Sequence, residues 1–164
     1  MPENDIFVYG TDTKESMEFE QDKFTWSVQL AGYHHDQVDQ KGETSYEHFI
    51  NEFETFPWFE QIYKANQFPE ESSPTISIKD LKIEKDFWIS MSGDRDNHGY
   101  ITGYIYPKEK KQFFGLGKPK TVRADKMCLT EDKQAVKALI KNFFDRDHDA
   151  LELEIERLGT RSTW

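Results

Sequence analysis

The chain has 164 residues and a mass of 19.4 kDa, with 31 Asp/Glu against 21 Lys/Arg, a formal net charge of −10 and a mean hydropathy of −0.84. That size fits one domain, 1–164, around one core. Cys128 is the single cysteine and leaves no disulfide to form within the chain, and no apolar stretch approaches the roughly 20 residues that cross a bilayer.

Few residues are apolar, 36%, but 13 Phe, seven Tyr and four Trp are among them, so the expected core is built from a small number of large rings. Charge is unevenly placed. Residues 1–60 hold 14 Asp/Glu and three Lys/Arg, whereas residues 108–126 hold seven Lys/Arg and two Asp/Glu. Such a distribution acts on encounter and partner choice rather than on fold. Anionic lipid surfaces and nucleic-acid phosphates repel an acidic chain, so neither membrane nor nucleic acid is an expected partner. The N-terminus has neither a basic start nor an apolar run of signal-peptide length, and the cytoplasm is the expected location.

In chain order, Ile6–Tyr9 reads as a short strand. Phe24, Trp26, Val28 and Leu30 then alternate with Thr25, Ser27 and Gln29 in the period-2 pattern of a half-buried strand. From Thr44 the spacing turns helical through Tyr46, Phe49, Ile50 and Phe53, and Thr44 with Glu47 predicts a capping box. Pro57 suits the start of a second helix carrying Phe59, Ile62 and Tyr63, and Phe68–Pro74 is a loop. Thr75–Ile78, Leu81–Ile83, Phe87–Ser92 and Tyr100–Tyr106 read as strands, with Gly93–Gly99 a hairpin loop, and Thr121–Leu129 adds another. Thr130 is the expected cap of a helix with Glu131 and Asp132 in its first turn and Val136, Leu139, Ile140 and Phe143 on one face. Leu151, Ile155 and Leu158 continue helically to a stop at Gly159. The fold class is therefore α+β: an antiparallel sheet of about five strands packed by helices from the N-terminal third and the C-terminus.

Several groupings resemble chemical sites and have simpler explanations. Asp145, Asp147, Asp149 and Glu156 match positions 1, 3, 5 and 12 of a calcium loop, but Ala150 stands where that loop needs glycine, and caps for a following helix explain the aspartates. Asp94, Asp96 and Asn97 are what a tight hairpin loop requires. His34 and His35, with His48 and Asp36, could be imagined as a metal or acid–base group, yet adjacent strand residues point to opposite faces. Cys128, between Met127 and Leu129, reads as a small buried hydrophobe. The pairs Glu18/Glu20, Glu52/Glu54 and Glu152/Glu154 are coincidences expected among 31 acids rather than a general acid and base. Phe53, Phe56, Trp58 and Phe59 read as core. The basic stretch Lys108, Lys110, Lys111, Lys118, Lys120, Arg123 and Lys126 encloses Phe113, Phe114, Gly115, Leu116 and Gly117 without forming a phosphate loop, and reads as a solubilising inter-strand segment.

With this size and acidity, the aromatic region Phe53–Phe59, the run Trp88–Gly93 and the segment Gly115-Leu116-Gly117-Lys118-Pro119, the chain resembles the immunity proteins that neutralise bacterial polymorphic or contact-dependent toxins. The resemblance implies a mode of action: tight binding of a cognate toxin domain over its active site or a neighbouring surface. It assigns no residue a role. From the residues themselves, the expectation is an acidic cytoplasmic binding protein rather than an enzyme, with no cofactor, no catalytic residue and no bound metal. Its partner is expected to be a basic protein, such as a nuclease toxin. The candidate partner-binding residues are Glu43, Glu47, Glu52, Glu54 and Glu60 on the polar sides of the first helical region, and Asp94 and Asp96 at the hairpin tip. A small metal-dependent hydrolase built on the histidines or the Asp145–Asp149 group, and a regulatory adaptor, are the alternatives.

Overall fold

Large apolar residues alternating with small polar ones along consecutive segments produce a sheet with two unlike faces. The computed structural model describes residues 23–110 and 120–159, so the expected strand Ile6–Tyr9 lies outside the described residues. Six strands, β1 (Phe24–Gln29), β2 (Asp39–Thr44), β3 (Thr75–Asp80), β4 (Lys85–Gly93), β5 (His98–Lys110) and β6 (Lys120–Thr130), pair antiparallel in the order β2-β1-β3-β4-β5-β6. Four helices accompany them: α1 (Tyr46–Thr55), α2 (Trp58–Gln67), α3 (Lys133–Phe144) and α4 (His148–Gly159). The fold is α+β, an antiparallel sheet packed by helices as expected, with six strands among the described residues.

The register places the inward residues of neighbouring strands side by side. Trp26, Ile78, Phe87 and Tyr104 form one row and Val28, Ile76, Ile89, Thr102 and Cys128 the next. Phe49 and Phe53 of α1, Trp58 and Ile62 of α2, five residues of α3 from Ala135 to Phe143, and Leu151, Ile155 and Leu158 of α4 close over these rows in one cluster. On the outer face, Trp88 lies across Gly103, where a Cβ would stand 2.1 Å from the indole ring, while Met127 is exposed. Cys128 is buried and shares a 3.1 Å hydrogen bond with Thr102.

Three local expectations are corrected. Leu81–Ile83 is a turn, because the Asp80 carboxylate accepts the Lys82 N–H at 2.9 Å and Glu84 takes a left-handed φ of 53°, folding the chain straight into β4. The first helix is capped by Ser45, whose Oγ accepts the His48 N–H, so the Thr44–Glu47 capping box does not form. Asp132 caps α3 by accepting the Gln134 N–H at 2.8 Å, and Thr130 instead receives the Asp132 N–H. The unexpected strand, β2, is polar on both faces and carries no apolar alternation; Gly42, at φ +89°, accommodates the bulge where its register against β1 shifts.

Candidate partner-binding surface

Helix α2 carries two apolar stripes where a surface helix needs one. Trp58 and Ile62 face the core, and the Trp58 indole N–H donates to the Phe53 carbonyl at 3.0 Å. Phe59 and Tyr63, also four residues apart, form the second stripe and stand outside the core, at 41% and 70% exposure. The Asn66 amide donates to the Gly93 carbonyl at 2.9 Å and ties α2 to the β4–β5 hairpin. Between them lies a cavity of about 360 Å³ lined by Phe59, Glu60, Ile62, Tyr63, Asp94 and Arg95, with Asn66 at the tie. The Phe59 ring is held edge-on against His98, with centroids 4.7 Å apart. A second depression of about 240 Å³ adjoins it through Phe59 and Glu60 and includes Glu54, Phe56, Trp58, Tyr100 and Lys133.

The seven candidate carboxylates divide between two regions. Glu54, Glu60 and Asp94 rim the aromatic depressions. Glu54 is ion-paired with Lys137 of α3, whose ammonium holds the carboxyl below its usual range. Asp94 also builds its own loop, accepting the Asp96 and Asn97 N–H groups at 2.9 and 2.8 Å, and Asp96 stands exposed beside it. Glu43, Glu47 and Glu52 line neither aromatic depression. Glu43 on β2 pairs with Lys23 at 2.6 Å, Glu52 stands 3.6 Å from His48 Nε2, and Glu47 is exposed in the first turn of α1. A third concavity, of about 380 Å³, holds Glu43 with Phe24, Tyr46 and Phe144.

Sequence reasoning placed Phe59 in the core and overlooked Tyr63 and Arg95 as surface contributors. The signal was present in the run Trp58-Phe59-Glu60-Gln61-Ile62-Tyr63, whose apolar arc is wider than one packed face requires.

The remaining groupings take up structural positions. His34 and His35 are exposed in the β1–β2 connection, where their carbonyls receive the Gln29 amide, and His48 contacts Thr44 and Glu52. Asp145 ends α3 and pairs with Lys141, Asp147 accepts the Ala150 N–H at 3.1 Å, and Glu156 binds Lys126. Among the described residues no three His, Cys, Asp or Glu side chains are grouped to hold a metal ion. Within the basic stretch, Arg123 is paired with Asp86 and Lys126 with Glu152 and Glu156, while Lys108 and Lys110 are exposed on the end of β5. Residues 111–119, including Lys111, Phe113 and Lys118, lie outside the described residues. No helix among the described residues is long and apolar enough to cross a membrane. The arrangement offers recognition chemistry: rings able to be desolvated, with carboxylates at their rim. Comparison with known proteins returns no significant match to any family model, curated protein or solved structure.

Proposed function

We propose that the protein is an acidic cytoplasmic binding protein of the immunity type, neutralising a basic toxin domain by covering it. The observation that carries this reading is the placement of Glu60 and Asp94 beside the exposed rings of Phe59 and Tyr63. Carboxylates at the rim raise the encounter rate with a basic surface, and desolvated rings at the centre slow dissociation. The two contributions are separable by experiment, because salt screens the first far more than the second.

The test is to identify the adjacent reading frame and, where it encodes a basic toxin domain, to co-express the two and measure binding kinetics; an adjacent frame of unrelated metabolic function counts against the reading. Wild-type protein is expected to protect the cells. Tyr63→Ala is expected to raise the dissociation rate by about tenfold or more, and Glu60→Lys to slow association at low salt and lose that effect as salt rises. Wild-type protein that gives no protection overturns the function. Protection with unchanged kinetics in both variants moves the surface elsewhere.

A further inference from the structure

Away from the aromatic surface, α4 begins on a buried polar cluster that partner binding does not use. Arg146, at a left-handed φ of 56°, turns the chain between α3 and α4, and its guanidinium grips the fully buried Asp80 carboxylate through Nε at 2.7 Å and Nη2 at 3.2 Å. Asp147 then caps the helix, receiving the Ala150 N–H on its side chain and the Leu151 N–H on its carbonyl. His148, the first residue of α4, lies flat on Tyr104 with ring centroids 5.8 Å apart, and stands edge-on to Phe143. Both of its ring nitrogens are buried, and neither has a hydrogen-bond partner among the described residues; the Tyr104 hydroxyl is in the same position.

We propose that His148 is an acid-sensitive latch, whose protonation frees the first turn of α4 from the sheet. A neutral imidazole can lie flat on the Tyr104 ring. An imidazolium carries two N–H donors and a charge, needs two acceptors, and finds none aimed at it. The surrounding charges do not supply them. Lys85 of β4 and Arg146 of the turn repel the cation, as does the positive end of α4 itself. Asp80 of β3 and Glu152 of α4 attract it, but Asp80 is already held by Arg146 and Glu152 by Lys126 of β6. Burial is the largest influence, and with these neighbours it holds the His148 pKa below its ordinary value. Because Arg146 and the Asp147 cap lie within two residues of His148, moving the ring out also loosens the Asp80 ion pair.

The sign follows from proton counting. Well above about pH 6.5, the ordinary histidine pKa, the imidazole is neutral in both closed and open forms and contributes no pH dependence. As the pH falls, the open form takes up a proton that the closed form refuses, so closure weakens toward acid until the closed form also titrates. Amide hydrogen exchange tests this directly. In wild-type protein, protection at Ala150 and Leu151, corrected for intrinsic rates, is expected to fall between pH 6.5 and 5 by up to about tenfold per pH unit. In His148→Phe, which keeps a ring on Tyr104 and cannot titrate, protection is expected to stay level. A level wild-type profile, or an equal fall in the variant, overturns the latch. Should His148→Phe fail to fold, proton NMR of the wild-type His148 ring decides: titration below the ordinary histidine range supports the latch, and titration at or above it overturns the proposal.

Discussion

Gly103 and Trp88 show how one residue's missing atoms set another's position. The indole occupies the space a Cβ at Gly103 would need, so the Trp88 ring lies over the β5 backbone only because that side chain is absent. Gly103→Ala is expected to push the ring off the sheet and destabilise the fold by about 1–3 kcal/mol, read from the midpoint of urea unfolding. Nothing in the local sequence announces this, since Thr102-Gly103-Tyr104 has no turn chemistry and the contact joins residues on different strands. Cys128 is the opposite case. Its apolar neighbours and strand setting marked it as a buried small hydrophobe, and burial raises its thiol pKa despite the Thr102 hydrogen bond. The candidate carboxylates were legible as acidic surface but not as a group. Glu60 and Asp94 meet through α2 and a hairpin 34 residues later in the chain, a juxtaposition no spacing rule contains.

At the scale of elements, periodicity was legible wherever one face is buried. Val136, Leu139, Ile140 and Phe143 are buried as their spacing predicts, and the alternation of β1 places Trp26 and Val28 inside. β2 was invisible because an edge strand with both faces polar has nothing to alternate. Helix starts were displaced by one or two residues, for a physical reason: Thr, Ser, Glu and Asp lie consecutively there, and only the backbone dihedrals decide which oxygen reaches the free N–H groups. The distinction is measurable at α1. Ser45→Ala is expected to cost about 1 kcal/mol, whereas Thr44→Ala, which removes a contact to His48 but no cap, is expected to cost under about 0.5 kcal/mol by thermal or urea unfolding.

At the scale of the whole molecule, a core cluster among the described residues joins all four helices to the sheet, and its eight buried rings pack among a larger number of Ile, Leu and Val side chains than the composition suggested. Phe24, Phe49, Phe143 and Phe144 contact one another across β1, α1 and α3, so the N-terminal and C-terminal helices share aromatic neighbours despite their distance in sequence. The charge asymmetry is partly absorbed within the fold. Lys137 takes Glu54, Lys126 takes two carboxylates of α4, and Arg146 takes Asp80, leaving Glu60 and the hairpin tip as the acidic groups set against exposed rings.

The strand order has a kinetic side. β3 to β4 and β4 to β5 are joined by tight turns, whereas β1 reaches β3 only across the segment 30–74 with β2, α1 and α2 inside it. Closing the longer connection costs roughly 2 kcal/mol more chain entropy than closing a four-residue turn. The hairpins of β3, β4 and β5 are therefore expected to assemble first and the β1–β3 seam to zip last. In stopped-flow urea jumps, Ile89→Val should mainly slow refolding and Val28→Ala mainly hasten unfolding; the reverse pattern would place the nucleus at the seam. A chain built in this order spends its early life with the β1-facing edge of β3 unpaired, and that edge is covered only when the long connection through β2, α1 and α2 closes.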